Sequence, residues 1–242
     1  MTKLSVNLNK IALLRNSRGR DFPNVVEFAN KFIDLGVNGI TVHPRPDERH
    51  IAAKDAVDLA ALLATNQDVE FNVEGYPSED FLKLVENSKP DQCTLVPDSV
   101  DQLTSDHGWD FTLHGGFLNE VISRIKGADI RAAVFLDPDI EQVIRASQAG
   151  ADRIELHTEA YASSFYTARH KAVFRQFETA AIEAQKLGLG VNAGHDLDLN
   201  NLPKFLQIGG ILEVSIGHAL TVECIEQGMK SVVPQYLAIC NN

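Results

Sequence analysis

Apolar residues along the chain gather into eight short β-rich runs, and nearly every run ends on a polar group. In order the runs are Leu4–Asn9, Gly39–His43, Val69–Glu74, Gln92–Val96, Arg131–Asp137, Arg153–His157, Gly190–His195 and Ile211–His218. They end in Asn7 and Asn9, His43, Glu74, Val96, Asp137, Glu155 with His157, His195, and His218. Eight such runs alternating with helical segments in 242 residues predict an α/β fold, a (β/α)8 TIM barrel. One barrel domain then covers residues 1–242. Strand ends of such a barrel converge on one face, where loops build the active site. That regularity points to an enzyme.

Helical spacing fills the gaps between the runs. Pro23–Leu35 places Pro at the expected first helical position and apolar residues on one broad face. Lys54–Ala64 is rich in Ala and Leu, and Ser78 is the expected cap of Glu79–Val85. Gly116–Ile125, Pro138–Ala149, Phe165–Leu187, Leu202–Gln207 and Ala219–Ile239 supply the rest. Gly36, Gly150, Gly188 and Gly210 each precede a strand, as helix C-caps do. Two connections, Asn9–Phe22 and Pro97–His114, are longer than a compact barrel needs. They read as lids or ligand clamps, with decoration or an oligomer contact as the alternative.

Composition narrows the partners. The formal net charge of −11 and pI near 5.1 argue against nucleic acid and anionic membrane surfaces. No apolar stretch is long enough to span a bilayer. The opening segment is too polar for a signal peptide, so a cytoplasmic protein is expected. Cys93, Cys224 and Cys240 show no CxxC spacing and read as reduced thiols, with Cys93 a small core residue.

Arginine clusters in two places on this acidic chain: Arg15, Arg18 and Arg20 after the first run, Arg45 and Arg49 after the second. Guanidinium groups near the inferred barrel mouth suggest an anionic ligand. The alternative is surface arginines paired with Asp21, Asp47 and Glu48. Gly194-His195 and Gly217-His218 repeat one motif after the seventh and eighth runs, where barrels often seat phosphate on backbone amides. Glu74 at a strand end can act as general acid or base, with His43 and His195 as partners. Glu155 and His157 share one strand face and reach the site if that face points inward. His107 and His170 read as structural or solvated, and His114 stays open. Asp137 is followed by Pro138 and reads as the cap of the next helix.

Familiar barrel chemistries fit poorly. A metal-dependent amidohydrolase wants His-x-His on the first strand, where this chain has Asn7-Leu8-Asn9. A Schiff-base aldolase needs a buried strand-end lysine, and only Lys10 stands near such a position. A metal-using epimerase would show two His and two Asp converging. An anion clamp, a glutamate and several histidines remain, and they suit proton transfers on a phosphorylated carbonyl compound.

Four segments resemble the pyridoxine 5′-phosphate synthase family. They are Val6–Arg18 (VNLNKIALLRNSR), Gly39–Ile51 (GITVHPRPDERHI), Val191–His195 (VNAGH) and Ile216–Ala219 (IGHA). The resemblance runs from about residue 4 to about residue 235, and the second segment is highly specific. It implies a (β/α)8 barrel that assembles as a homo-octamer and uses no metal or organic cofactor. It implies two phosphorylated small-molecule substrates, 1-deoxy-D-xylulose 5-phosphate and 3-amino-2-oxopropyl phosphate. Their condensation yields pyridoxine 5′-phosphate, phosphate and water. Carried over by motif, His43 and Glu74 are the acid–base residues and His195 the proton donor. Asn7 and Arg18 match contacts to the amino-ketone phosphate or closure over the site. Arg45, His50 and Thr104 match the deoxyxylulose phosphate site. Gly217 and His218 match the seat of the other phosphate.

This chain departs from the pattern in places. Asn9-Lys10 stands where many members have Asp-His, Asp196 where Gly is frequent, and Ser215 where an Asn is seen. The Thr221–Glu223 stretch is atypical as well. Asn9, Lys10 and Asp196 remain candidate substrate contacts, although Asn9 cannot act as a base. The competing readings are another sugar-phosphate isomerase or epimerase, and a non-catalytic phosphate-binding barrel.

Overall fold

The computed structural model describes residues 1–98, 102 and 105–242. The expectation for Thr104 therefore lies outside the described residues. Strands β1 Lys3–Asn7, β2 Gly39–Val42, β3 Glu70–Gly75, β4 Gln92–Leu95, β5 Arg131–Leu136, β6 Arg153–Leu156, β7 Gly190–Gly194 and β8 Ile211–Ile216 pair in sequence order. Parallel pairing of β8 with β1, from Lys3 opposite Glu213 to Val6 opposite Ile216, closes the barrel. The α/β barrel expected from the alternating runs is the observed architecture.

Helices α1 Asn9–Asn16, α2 Val25–Asp34, α3 Ala53–Leu63, α4 Glu79–Ser88, α5 Phe111–Gly127, α6 Ile140–Gln148, α7 Glu159–Ser164, α8 His170–Lys186, α9 Leu202–Phe205, α10 His218–Gln227 and α11 Met229–Cys240 complete the chain. Side chains alternate along each strand. In β3, Phe71 and Val73 join the apolar layer between barrel and helices, whereas Asn72 and Glu74 face the axis. Cys93 belongs to that apolar layer and is fully buried, as expected.

Barrel interiors of this class are usually filled by branched apolar residues. This one is polar, and its side chains bond across the axis. Near the strand starts, Glu70 takes Arg131 (3.1 Å) and Lys3, while Arg153 reaches Glu213 (3.4 Å). Above them Asn192 donates to Gln92 (3.4 Å), Gln92 to Thr94 (3.3 Å) and Thr94 to Asn72 (3.0 Å). Ser5 and Thr41 share a 2.7 Å bond beside this chain.

Several boundaries differ from expectation. The connection Asn9–Phe22 is not an open loop, because its first half is α1. Pro23 is not the first helical residue: Asn24 caps α2 by accepting from the Glu27 N–H (2.9 Å). Helix α5 starts at Phe111 rather than Gly116, because Asp110 caps it through Thr112 (2.8 Å) and two interior glycines do not break it. Phe165–Leu187 holds only α8, which begins at His170, while α7 lies before it; Ala219–Ile239 is α10 and α11 broken at Gly228 (φ 85°). Asp137 does not cap α6. Asp139 does, through Glu141 (2.8 Å) and Gln142 (3.3 Å), which leaves Asp137 for the site face. Ser78 caps α4 as expected, and the four pre-strand glycines all have positive φ.

Gly194 is required by close packing between β7 and β8. A Cβ there would stand 2.0 Å from the Ser215 carbonyl oxygen, which is backbone and cannot turn away. Gly194→Ala should destabilise by on the order of 3 kcal/mol. Gly116, exposed in α5 with open space around it, should gain about 0.5–1 kcal/mol on change to Ala. Thermal unfolding of both variants checks this. An unchanged Tm for Gly194→Ala would contradict the tight β7–β8 approach.

Candidate active site

A cavity of about 490 Å³ opens at the strand C-termini. Its wall carries Asn7, Asn9, Lys10, His43, Arg45, His50, Glu74, His195, Asp196, Gly217 and His218. Apart from Thr104, Arg18 is the one residue expected from the family resemblance that is not on that wall, and Arg15, Arg20 and His157 are also off it. Arg18 is exposed beyond the end of α1.

Two helices begin at the cavity with no cap from the side chain of the N-cap residue. Helix α1 follows Leu8 and brings Asn9 and Lys10; α10 follows Gly217 and brings His218. At α1 the Asn9 N–H is taken by Asn7 Oδ1 (3.0 Å), and the remaining first-turn N–H groups of the two helices, with their partial positive charge, suit an anion. At Gly217 a Cβ would lie 3.1 Å from the Cβ of Asn7, so a larger residue would crowd this seat. The start of α1 was not legible, since Leu8 and Asn9 continue the alternation of the first strand.

The five arginines separate. Arg45 and Arg49 line the cavity. Arg45 is ion-paired with buried Asp98 and donates to the Gln102 carbonyl (2.9 Å). Ser105 donates to the same Asp98 oxygen (2.7 Å). Arg49 pairs with Asp47 (2.7 Å), as the surface-pair alternative held. Arg15 is not part of the clamp, because Asp55 (2.8 Å) and the His50 carbonyl (3.1 Å) hold it and so tie α1 to the entry of α3. Arg20, like Arg18, is exposed.

Glu74 sits at the end of β3, buried, with Asn7 donating to Oε2 (3.4 Å) and Asn72 to Oε1 (3.4 Å). Glu155 faces the same cavity at 4% exposure, and its Oε2 is buried with no partner among the described residues. Burial, reinforced by Glu155, raises the Glu74 carboxyl well above its ordinary value. Burial, with Glu213 below, pushes Glu155 up to about 8. Glu155 therefore carries its proton near neutral pH, and Glu74 is shifted in the same direction. His43 is the opposite case: burial, then Arg45, hold it well below 6.5, so it is a neutral imidazole. Burial and the same arginine bring His50 to about 4. Asn9 accepts from the His43 N–H (2.9 Å), a positioning role that needs no acidity. Neutral acids opposite a neutral base can move protons in both directions without buried net charge.

His195 follows β7 with φ 25° and pairs through Nδ1 with Asp196 (2.8 Å). That bond, working against burial, holds Asp196 below the ordinary carboxylate range. His157, His195 and Asp196 offer ligand atoms within 4.8 Å of one another, the spacing a cation would need. Val96, Ser105, Phe135 and Leu13 also line the cavity. No residue-type signal marked them, because apolar walls look like core in sequence. His107 is exposed beside Asp106, His114 stacks on Trp109, and His170 sits among Tyr161, Phe165 and Phe174. None of these three lines the cavity.

Residues 4–242 match the family described as pyridoxal phosphate biosynthesis protein PdxJ. A pyridoxine 5′-phosphate synthase from Cytophaga hutchinsonii is 50% identical over 238 residues, covering 98% of each chain. The Bacteroides fragilis protein of that name is 51% identical over 237 residues, again 98% of each. Among solved structures, phosphoribosyl anthranilate isomerase from Thermotoga maritima superposes with TM-score 0.63 at 12% identity, covering 100% of this chain and 99% of that one. That likeness shows the barrel fold alone.

The raised carboxyls fix a sign for stability against pH. Between 4.5 and about 8 the folded protein keeps the Glu155 proton that the unfolded chain releases. The folded state then binds more protons, so this group's stability contribution falls as pH rises through that window. Glu155→Gln removes the contribution. Its Tm should therefore fall less than that of the native chain between pH 5 and pH 8. Parallel pH–Tm curves for the two proteins would show that Glu155 is ionised when folded.

Proposed function

The chain belongs to the PdxJ family of pyridoxal phosphate biosynthesis proteins, and from that membership we propose that it is a pyridoxine 5′-phosphate synthase. It condenses 1-deoxy-D-xylulose 5-phosphate with 3-amino-2-oxopropyl phosphate, releasing phosphate and water. One observation carries the reading: two carboxyls raised by burial, Glu74 and Glu155, and neutral His43 share one cavity with the starts of α1 and α10. Two phosphorylated substrates need two anion seats, and ring closure needs several proton transfers between them.

In this reading Glu74 gives its proton and takes one back in turn, His43 takes protons from the condensing carbons and nitrogen, and His195 returns one to the leaving oxygen. The amine of the substrate is the nucleophile, so no enzyme lysine is required. Gly217 and His218 seat one phosphate at the start of α10, with Asn7 beside it. Lys10, Arg45, His50 and Thr104 hold the deoxyxylulose phosphate, with Asn9 supporting His43. Asp196 orients His195 as well as lining the substrate space. Arg45 acts as a pre-formed ion pair with Asp98, so its removal would strand a buried carboxylate as well as a ligand contact. We place the chain in a homo-octamer in the cytoplasm. Among the described residues no helix is long and apolar enough to cross a membrane.

Protein dialysed exhaustively against chelator and given both substrates should form pyridoxine 5′-phosphate, detected by absorbance and mass. Product that appears only after one divalent ion is restored would instead support a metal-dependent reaction at His157, His195 and Asp196. In the same assay Glu74→Gln should lower turnover by about 10²–10⁴-fold with little change in substrate affinity. Near-native turnover would remove Glu74 from the chemistry.

Arg18 lies beyond α1 and is exposed. It closes on bound amino-ketone phosphate, which orders residues 17–22. Hydrogen exchange in that segment should slow when phosphorylated substrate binds, and Arg18→Ala should abolish the change. Equal protection with and without ligand in the native protein would make Arg18 a fixed surface contact.

A further inference from the structure

Behind the cavity wall stands a pair that the proposed reaction does not yet use. His157 follows β6, and its backbone N–H donates to the Leu136 carbonyl (2.8 Å). Its Nδ1 faces the Asp137 carboxylate at 3.1 Å, and Asp137 is fixed again by the Gly108 N–H (3.0 Å). Burial works against ionising Asp137, yet the His157 bond and that amide hold it below the ordinary carboxylate range. A carboxylate at Nδ1 favours the tautomer with its proton there, which leaves the His157 lone pair on Nε2. That Nε2 is buried and has no partner among the described residues, in a side chain 7% exposed.

The His157 ring packs at a tilt against Phe135 (5.2 Å, 43°) and meets the His195 ring edge-on (6.0 Å, 76°). A nitrogen from each of the two rings and an Asp196 oxygen lie within 4.8 Å of one another, a gap one water can bridge. The neighbouring residue grips the same segment. Thr158 Oγ1 donates to the Gly194 carbonyl (2.8 Å) and accepts from the Asp196 N–H (3.3 Å). His195 itself has a left-handed backbone, so its placement needs such outside support.

We propose that Asp137 and His157 form a positioning unit for His195, orienting its ring and holding its proton between steps. The inference rests on His195 being the proton donor of the synthase reaction. A proton leaves an imidazolium nitrogen of His195 and bonds to His157 Nε2 through the bridging water. His195 becomes neutral, and the positive charge settles beside the Asp137 carboxylate. The transfer reverses before the next donation. The charged and titratable groups around this route are Asp137 and His107 on one side, and Asp196, His195 and His218 on the other.

The test is a double-mutant cycle read by kcat, KM and the pH profile of kcat. His157→Gln retains an amide for Asp137 and should fold. Its kcat should fall on the order of 10- to 100-fold, the usual cost of losing a group that orients a functional imidazole. KM should stay near the native value, and the pH limb belonging to His195 should move. Asp137→Asn should act in the same direction. In a His195→Gln background, adding His157→Gln should cost little more, because the two act as one unit. Unchanged kcat in His157→Gln, or a full further loss in the His195→Gln background, would overturn the proposal. Imidazole 15N spectra provide a readout independent of turnover. A change in the His195 tautomer or titration in both His157→Gln and Asp137→Asn supports the unit whatever the reaction. Absence of pyridoxine 5′-phosphate from native protein that shows this coupling would count against the reaction alone.

Discussion

A closed parallel barrel hides its axis from water, and here that axis is lined with groups that need hydrogen bonds. Unmet polar groups in such a place cost more than most side-chain contacts return. Ser5, Thr41, Asn72, Gln92, Thr94 and Asn192 meet the demand by bonding to one another between strands. Glu70, Arg131, Arg153, Glu213 and Lys3 do so by ion pairing at the strand starts. These bonds form only if β8 returns to β1 and brings distant strands to one axis. Barrel closure and polar satisfaction are therefore one requirement.

The same constraint sets the chemistry at the mouth. Glu74 and Glu155 stand at the top of the polar column, above Glu213, with little water to stabilise three negative charges. Glu213 is itself raised to about 7 by burial, although Arg153 opposes the shift. Retaining protons is the low-energy answer, and it turns two carboxylates into acids. Positive charge is treated in the opposite way. Arg45 is buried with Asp98 as its ion-pair partner, and burial, with Arg45 second, keeps His43 and His50 neutral. Polarity in the interior and reactivity at the mouth thus share one cause.

Helix starts add the anion-facing part. Neither Leu8 nor Gly217 caps its helix with a side chain, and both helices begin where a strand delivers the chain to the cavity. Arg15 and Asn16 fasten α1 to the loop that carries His50, through Asp55 and the carbonyls of residues 48–50. An arginine that reads as a ligand clamp is thereby a brace for the loop bearing one. Exposed Arg18 keeps a long side chain without that restraint.

Strand count, strand order and the strand-end residues were legible in the sequence, because alternation with period two and helical spacing leave separate marks. His43, Glu74, His195 and the two Gly-His pairs stand at strand ends, and in a barrel every strand end reaches the same face. Helix starts were less legible. Asp139 took the cap that the sequence allots to Asp137, since nearby carboxylates compete and packing chooses between them, and Asp110 starts α5 earlier than its glycines suggest. Tertiary structure alone decided that Glu155 faces the cavity, that Arg15 braces a helix, and that Asp137 meets His157 instead of capping α6. Each of these depends on a partner between 20 and 40 residues away, or on which strand face points inward. Local sequence encodes period and propensity. The distances and the shared burial that shift Glu74, Glu155 and His43 exist only after the barrel closes.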